Sequence, residues 1–239
     1  MKPSFAGIGI WIWYLNQAEG GDLDKIAEKA LAHNIDWVAV KASDGPNIWT
    51  QISKAIELQK RGLKVYSWGY NYGEDFEEGP VVSALNQGVD GHIFDVEAEF
   101  AHLPGLLPKQ KAEELLDKVL AVYPQAKLAY APLPVIDYFP GLPYEVLNKE
   151  CVAMPQFYTK ELGTGEDYSI ERLVFIWQKW LEKWSEKPLA IYPILQGYGA
   201  QTPENLQHEV EVCKQQYGGF SIWRWDTLTP EMWEVLKWT

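Results

Sequence analysis

The chain has 239 residues, of which 47% are hydrophobic and 23% are charged, and its formal net charge at pH 7 is −12. This excess of acids argues against nucleic acid or an anionic membrane as the main partner, because binding to phosphate groups requires an excess of lysine and arginine. No stretch reaches the roughly 18 uninterrupted apolar residues of a membrane span, and the composition is that of a globular protein.

The cysteines and the N-terminus bear on the state of the thiols and on localisation. Cys151 and Cys213 are far apart and lack the spacing of metal ligands, so we expect two buried free thiols. The first residues, MKPSFAGIGIWIWYL, are apolar from the start, contain Trp and Tyr, and lack a small-residue cleavage site, unlike a signal peptide. We therefore expect a soluble protein that is cytoplasmic until released, or that reaches a phage particle or the cell exterior by another route.

Short apolar runs alternate with longer amphipathic runs along the chain. Asp22 or Asp24 is the candidate N-cap of the first helix, and Gly62 and Gly88 end the second and third helices. The predicted strands are, in chain order, FAGIGIWIWYL, IDWVAVKAS, LKVYSWGYN, GHIFDVEAE, AKLAYAPL, CVAMPQFYT, PLAIYPILQ and GFSIWRWDT. The predicted helices that follow them are DLDKIAEKALAHN, NIWTQISKAIELQKRG, EEGPVVSALNQG, PKQKAEELLDKVLAVYP, LPYEVLNK, DYSIERLVFIWQKWLEKWSEK, TPENLQHEVEVCKQQYG and PEMWEVLKW.

This strict alternation of eight strand–helix pairs predicts a parallel sheet covered by helices. Eight such units in about 250 residues are typical of a closed (β/α)8 TIM barrel, an α/β fold. Since no linker composition interrupts the chain, we expect residues 1–239 to form one domain, and a monomer. Trp177, Trp180 and Trp184 recur at helical spacing in the sixth helix, which indicates the buried stripe of an outer helix rather than a sugar platform.

The C-terminal ends of the strands are where this fold keeps its active sites. The predicted ends carry aromatic rings, carboxylates and amides, without a His or Cys cluster for a metal and without a His beside a nucleophile. Aromatic faces stack on sugars, amides bind hydroxyls and carboxylates act on the acetal, so we expect a polysaccharide substrate and no cofactor. The candidate substrate-binding residues are Trp11, Trp13, Lys41, Trp68, Tyr70, Glu99, Tyr130, Gln156, Tyr158, Gln196, Trp223 and Trp225.

The fourth predicted strand ends with acids at every second position. Side chains alternate along a strand, so Asp95 and Glu97 are expected to point into the barrel together, about 7 Å apart at Cα. Burial and mutual repulsion raise the pKa of at least one of them, which yields the acid and carboxylate that glycoside hydrolysis needs. The alternative is a structural salt bridge to Lys41 or Arg224. Glu99 is expected in the following loop, as a further candidate for binding or acid catalysis.

The short spacing of this pair suits a substrate-assisted reaction better than a pair placed on opposite sides of the scissile bond. In that reaction, one acid protonates the leaving oxygen while the acetamido group of the sugar attacks the anomeric carbon. We therefore assign Glu97 as the general acid and Asp95 as the carboxylate that stabilises the acetamido group.

Several strand motifs, IDWVAVKASDG, VYSW, IFDVE, AMPQFY and IWRWD, resemble glycoside hydrolase family 25, the Chalaropsis-type lysozymes. The resemblance implies a lysozyme-like or endolysin-like hydrolase of peptidoglycan, in which Glu97 and Asp95 form the strand-four pair. It also implies a further acid on strand eight, for which Asp226 is the match. Strand one departs from the family pattern, because Gly9 and Trp11 stand where the family has an Asp.

A second, partial resemblance is to glycoside hydrolase family 18, the chitinase type. DGHIFDVE is similar to the strand-four motif of that family through Asp90, Asp95 and Glu97, with Ile93 in place of its middle Asp. GGFSIWRWD is similar to its strand eight, which implies that Trp223 forms the floor of a sugar site. Both families act on N-acetylhexosamine polymers, and both resemblances imply that Glu97 is the acid.

Three functions remain open at this point. The leading hypothesis is a glycosidase acting on peptidoglycan or chitin. The second is a catalytically inactive barrel that binds glycan, which the missing acid on strand one supports. The third is an enzyme acting on a phosphorylated sugar, which has the least support because QGYGAQTPEN, after the seventh strand, contains two glycines but no basic residue.

Overall fold

The structure is a computed structural model that describes residues 5–161, 169–184 and 191–237. Its strands are β1 (Gly7–Ile12), β2 (Ile35–Asp44), β3 (Asn47–Ile48), β4 (Lys64–Asn71), β5 (Gly91–Val96), β6 (Leu128–Ala131), β7 (Cys151–Ala153), β8 (Gln156–Phe157), β9 (Ile194–Gln196) and β10 (Gly219–Trp223). Neighbouring strands pair in parallel in the order β7, β6, β5, β4, β2, β1, β10, β9, β8. The short β3 is antiparallel to the end of β2.

The sheet closes because β7 and β8 are two halves of one barrel strand. β7 pairs with β6, whereas β8 pairs with β9. Pro155, which has no N–H to donate, lies in the break between them. Backbone bonds from Met154 N to Tyr130 O (2.8 Å) and from Ile194 N to Pro155 O (2.9 Å) join both sides. The predicted (β/α)8 barrel is confirmed, with β5 as its fourth strand.

Helices follow the strands, and local capping residues fix where several of them begin. Asp22 caps the first helix, because its side chain accepts bonds from the backbone N–H groups of Asp24 and Lys25. Thr202 caps the eighth in the same way. The helices are α1 (Leu23–Ala32), α2 (Ile52–Ala55), α3 (Glu78–Asn86), α4 (Ala98–Ala101), α5 (Leu107–Val122), α6 (Tyr144–Glu150), α7 (Ile170–Trp184), α8 (Pro203–Gln216) and α9 (Pro230–Lys237).

The second predicted helix is shorter than its sequence pattern indicated. Asn47 and Ile48 form β3 against β2 instead of a first helical turn. After α2 the chain continues as a 3-10 helix, Ile56–Arg61, and ends at Gly62, whose φ of +94° lies in the left-handed region that glycine tolerates. The starts of the sixth predicted helix and of the seventh predicted strand lie outside the described residues.

The tryptophans of α7 are placed as an outer helix requires. Trp177 is fully buried, and its Nε1 donates to the carbonyl of Pro134 at 2.9 Å. Trp180 is half-buried, and the side chain of Trp184 lies outside the described residues. Trp177 therefore confirms the interpretation of this stripe as packing rather than as a sugar platform.

An apolar cluster that is mainly aromatic fills the inside of the barrel. The ring of Phe5 lies 4.5 Å from that of Tyr66, and the edge of Trp37 lies 5.4 Å from Tyr66. Gly9 is required beside them, because a Cβ at this position would lie 2.2 Å from the Trp37 ring. Position 9 of β1 therefore has no room for an acidic side chain.

Cys151 and Cys213 are buried free thiols, as predicted. Among the helices of the described ranges, none is both long enough and apolar enough to cross a membrane.

Candidate active site

The acids of the fourth barrel strand lie where regular strand geometry stops. β5 ends at Val96, so the strand is shorter than predicted. Glu97 has a backbone conformation (φ −123°, ψ −148°) that is neither helical nor regular strand, and it directly precedes the short helix α4. Glu99 consequently lies in α4. The expectation that it lies in a loop is therefore wrong. The change in direction leaves Asp95 as the last inward acid of the strand and Glu97 as the first residue beyond it.

Gln156 connects the two acids across the mouth of the barrel. Its Nε2 lies 3.1 Å from Asp95 Oδ1 and 2.8 Å from Glu97 Oε1, and it is also 3.3 Å from the carbonyl of Ala131. An amide nitrogen carries two hydrogens, so three acceptors compete for two donors. The two carboxylates are thus held close together and share one donor group.

Burial and proximity both favour protonation of this pair. Asp95 is 7% exposed. Burial, followed by the charge of Glu97, raises the pKa of Asp95 well above its usual range, while the charge of Lys41 opposes the rise. Burial also raises the pKa of Glu97, against the hydrogen bond from Gln156. The pair therefore retains a proton at a pH where isolated carboxylic acids would both be ionised.

A cavity of about 290 Å³ opens beside the pair. Trp11 and Trp223 form aromatic walls, and Tyr158 and Gln156 lie on the side of the sixth barrel strand. The described residues that line it are Trp11, Asp95, Glu97, Ala131, Leu133, Gln156, Tyr158, Glu161, Ile194, Tyr198 and Trp223. A concave site of this size, with apolar walls and a few convergent polar groups, suits a small polar ligand group.

The aromatic walls belong to a rigid cluster of four tryptophans. The ring centroids of Trp11, Trp68 and Trp223 lie 5.3–5.6 Å apart, in edge-to-face arrangements. Trp13 lies 5.6 Å from Trp223. The Trp11 indole donates to Ser221 Oγ at 2.9 Å, and the Trp68 indole donates to the carbonyl of Ile12 at 3.2 Å. These contacts fix the wall before any ligand binds.

Lys41 lies behind this cluster rather than against the acid pair. Its Nζ lies 4.7 Å from the ring centroids of Trp13 and Trp49, and 5.0 Å from that of Trp68. Its ion-pair partner is Asp44, at 3.5 Å. Burial lowers the pKa of Lys41, although nearby acids oppose this.

Arg224 is engaged elsewhere as well. It forms an ion pair with Asp226, from Nε to Oδ1 at 3.0 Å. No described cation forms a salt bridge with Asp95 or Glu97, so the structural salt bridge considered for this pair is absent from the described chain. Asp226 does not line the cavity.

Two predicted substrate-binding residues lie away from the cavity. Tyr130 is fully buried between the sheet and α6, where its hydroxyl donates to Asn148 Oδ1 at 2.9 Å. Trp225 packs 4.9 Å from the Trp233 ring of α9. Both side chains belong to the core between sheet and helices, so their positions give no support to a role in substrate binding.

Three further predicted substrate-binding residues, Tyr70, Glu99 and Gln196, form hydrogen bonds within the protein. The Tyr70 hydroxyl donates to Glu99 Oε2 at 2.5 Å, beside but not in the lining of the cavity. Gln196 Oε1 accepts from the backbone N–H of Lys160 at 3.0 Å, and its Nε2 donates to the carbonyl of Tyr198 at 3.1 Å. The amide of Gln196 is thus used within the protein.

Glu161 is a cavity residue that the sequence did not reveal. It lies in the loop after β8, and the hydroxyl of Tyr198 donates a hydrogen bond to its carboxylate. Leu133, after β6, was also missed. Leu133 is the last residue of the fifth predicted strand, AKLAYAPL, whereas Glu161 lies two residues beyond the sixth, so only closeness to a strand end could have indicated either residue. Among the described residues, no group of three or more His, Cys, Asp or Glu side chains is arranged to hold a metal ion.

Comparisons with known proteins give the fold but no family. No family model matches the chain, and no curated protein matches it. The endo-β-1,4-mannanase of Thermotoga petrophila superposes with a TM-score of 0.71 over 99% of this chain and 76% of that chain, at 10% identity. A xylanase-α-amylase inhibitor protein superposes with a TM-score of 0.59 over 97% of this chain and 95% of that chain, at 15% identity.

The resemblance to family 25 receives no specific support. A family 25 glycosyl hydrolase from Bacillus anthracis superposes over 62% of this chain and 69% of that chain, at 14% identity and a TM-score of 0.44, which is too low to carry an argument. At these identities the neighbours show a shared (β/α)8 barrel and nothing finer. Since the neighbours include an enzyme and a protein named as an inhibitor, function must be argued from the site.

Proposed function

We propose that the chain is a glycoside hydrolase that cleaves an N-acetylhexosamine-containing polysaccharide, with Glu97 as general acid and Asp95 as its partner. The observation that carries the proposal is the acid pair itself: two carboxylates with raised pKa values share the amide of Gln156 at the edge of an aromatic-walled cavity. Perturbed carboxylic acids that converge on a cavity are typical of catalytic sites.

The close contact of both acids with one amide favours the substrate-assisted reaction. The proton of Glu97 passes to the glycosidic oxygen as the bond from that oxygen to the anomeric carbon breaks. The acetamido carbonyl oxygen forms a bond to the same carbon, while Asp95 accepts a hydrogen bond from the acetamido N–H. Water then attacks the anomeric carbon, its proton returns to Glu97, and the acetamido group is released.

The rest of the cavity supports a sugar as the ligand. Trp11 and Trp223 offer aromatic surface, and Tyr158 and Gln156 offer polar atoms within the same space. We place peptidoglycan first among the substrates, as for a lysozyme or endolysin, and chitin second, on the resemblances of the strand-end motifs. A monomer that reaches the cell wall after release or on a phage particle would fit this activity.

A second function, glycan binding without hydrolysis, is favoured by one observation. On β1, Trp11 fills the cavity wall, and the Trp37 ring occupies the space where a side chain at position 9 would lie. The first barrel strand therefore supplies no acid, in contrast to the family 25 pattern. A structural neighbour named as an enzyme inhibitor has the same fold.

The deciding experiment measures reducing-end release from purified peptidoglycan and from chitin oligomers, for the parent and for Glu97→Gln. We expect the parent to release ends and the variant to lose about 100-fold or more. Glu77→Gln is a matched control, since Glu77 is buried but lies outside the cavity lining. The assay is run at about 0.15 M salt, because screening reduces repulsion between the acidic protein and an anionic wall.

The results separate the two functions. Binding of either polymer without release of ends, by parent and variant alike, would overturn hydrolysis and favour the binding protein. Release from one polymer only would identify which of the two resembled families is the better guide to the substrate.

A further inference from the structure

Glu209 is a buried glutamate on α8 that lies outside the cavity. It is 3% exposed, and each of its oxygens accepts one hydrogen bond. The Thr159 hydroxyl donates to Oε1 at 2.5 Å, and Gln201 Nε2 donates to Oε2 at 2.7 Å. Thr159 and Gln201 are buried as well. A carboxylate in such surroundings holds its partners in place, because its desolvation is offset only while both bonds are made.

The two donors belong to the two loops that form one wall of the cavity. Thr159 directly follows Tyr158 and lies two residues before Glu161, whereas Gln201 lies three residues after Tyr198. At the cavity the same loops meet again: the Tyr198 hydroxyl donates to Glu161, and the Tyr158 and Tyr198 rings lie 5.6 Å apart, edge to face. The bonds made by Glu209 therefore lie directly behind this wall.

Gln196 ties the same two loops at a second point. Its amide oxygen accepts from the Lys160 N–H, and its amide nitrogen donates to the Tyr198 carbonyl. Glu209 thus holds the wall from behind through side-chain partners, and Gln196 does so through backbone groups. Tyr158, Glu161 and Tyr198 face the cavity.

We propose that Glu209 is a positioning residue that sets the width of the cavity by holding the 158–161 loop against the 196–201 loop. We call its bonds to Thr159 and Gln201 the brace. The consequence of the brace for catalysis rests on the proposed function, whereas its effect on the positions of the two loops does not.

The brace responds to pH. Burial raises the pKa of Glu209 to about 7, against its two hydrogen bonds and the charges of Lys160 and His208. His208 is paired with Glu171 of α7 at 2.6 Å, and the Cys213 thiol lies near Glu209 on the same helix. The two bonds themselves favour the ionised carboxylate, but burial outweighs them, so the closed arrangement that buries Glu209 is most stable at low pH and loses stability as the pH rises through about 7.

Hydrogen exchange tests the brace directly, through peptides that cover residues 158–161 and 196–201. After correction for the intrinsic exchange rate, we expect protection in the parent to fall about 10-fold between pH 6 and pH 8. Glu209→Gln, an isosteric neutral side chain, should remove this step. Thr159→Val, which deletes one donor without changing the shape, should lower protection at both pH values.

Kinetics with chitin oligomers test the consequence for the cavity. Thr159→Val should raise KM several-fold and change kcat by less than about 2-fold, because the acid pair itself is untouched. Glu77→Gln is the control, since this buried glutamate is bonded to Asn71 and to the N–H of Tyr72 on another side of the barrel. It should leave both the exchange of the two loops and the KM unchanged.

The possible failures are distinct. Unchanged exchange in Glu209→Gln and Thr159→Val, or an equal change in Glu77→Gln, would overturn the brace even if hydrolysis is normal. The expected exchange pattern in a protein that releases no reducing ends would support the brace while the proposed hydrolysis fails.

Discussion

Asp95 and Glu209 are buried to a similar extent, 7% and 3% exposed, but their hydrogen bonds differ. Glu209 has a separate donor for each oxygen, one from Thr159 and one from Gln201. Asp95 shares the single amide of Gln156 with Glu97, and both acids line the cavity. Burial raises the pKa in both regions, so a raised pKa does not by itself distinguish them.

Hydrogen bonding tells the two regions apart. Glu77 resembles Glu209: one of its oxygens accepts from the N–H of Tyr72 at 2.7 Å, and the other accepts from Asn71 Nδ2 at 3.1 Å. Fully bonded buried carboxylates of this kind hold chain segments in place. Asp95 and Glu97, which share one amide donor among the described residues and face the cavity, keep lone pairs or a proton for a ligand. This contrast supports the proposed catalytic role of Asp95 and Glu97 and the proposed positioning role of Glu209.

Asp95→Asn should have the largest effect and should separate activity from stability. The amide oxygen of Asn can keep the bond from Gln156, and the substitution removes one of two repelling acids. We expect reducing-end release to fall about 100-fold or more, by analogy with the loss of an electrostatic partner in other sites. At pH 7 the thermal midpoint should rise, since the folded-state pKa of Asp95 lies above its unfolded value and ionisation disfavours folding.

Calorimetry of the parent and of Asp95→Asn from pH 5 to pH 8 checks the sign. The gain in the variant should grow with pH, as the parent loses the stability that protonation of Asp95 supplies. A variant that is less stable than the parent throughout this range would contradict the assignment of Asp95 as a buried carboxylate whose ionisation disfavours folding.

Glu209→Gln should change stability more than activity. Burial raises the pKa of Glu209 to about 7. The stability that its protonated form gives to the folded state is therefore fully present below the pKa of the unfolded chain, and it is lost as the pH rises through about 7. From pH 5 to pH 8 the parent should lose about 2 kcal/mol of unfolding free energy from this group. Urea denaturation at several pH values should show that the variant lacks this slope. An identical slope in parent and variant would show that Glu209 does not titrate there.

Much of the barrel could be predicted because each layer leaves its own pattern in the sequence. Buried strands appear as apolar runs, and capping residues such as Asp22 and Gly62 mark helix ends locally. β3 could not be predicted, since Asn47 and Ile48 become a strand only by pairing with β2, a contact made by the folded chain. The early end of β5 depends likewise on the backbone turn at Glu97, which no local residue pattern marks.

Within the strands, the site was predictable from the alternation of side chains. Asp95 lies within β5, and its inward direction follows from the pleat. Tyr130 directly precedes Ala131, which lines the cavity, so alternation places Tyr130 on the outer face. Trp225 shares the parity of Trp223 but lies beyond the end of β10, in a 3-10 turn where parity has no meaning. Glu161 lies in a loop and left no periodic signal.

Gln156→Leu should have an intermediate effect, because it leaves both acids of the pair without their common donor. Loss of a hydrogen bond to a buried acceptor costs about 1–3 kcal/mol, which corresponds to a fall of roughly 10-fold in kcat/KM if the pair must be held for reaction. The hydrogen bond from Gln156 lowers the pKa of Glu97, so its removal should move the pH profile of kcat/KM to higher pH. An unchanged pH profile would show that the amide does not control the ionisation of the pair.

Asp226→Asn should have the smallest effect, because it changes an acid that lies outside the cavity lining, in contrast to Asp95. Asp226 is paired with Arg224 at 3.0 Å, and the two side chains remain 20% and 23% exposed. A partly exposed ion pair contributes about 1 kcal/mol or less to stability, and Asp226 has no place in the cavity lining. We therefore expect reducing-end release to change by less than about 3-fold. A loss as large as that expected for Asp95→Asn would mean that Asp226 leaves Arg224 and reaches the substrate, so that a carboxylate paired in the free protein can still take part in the reaction.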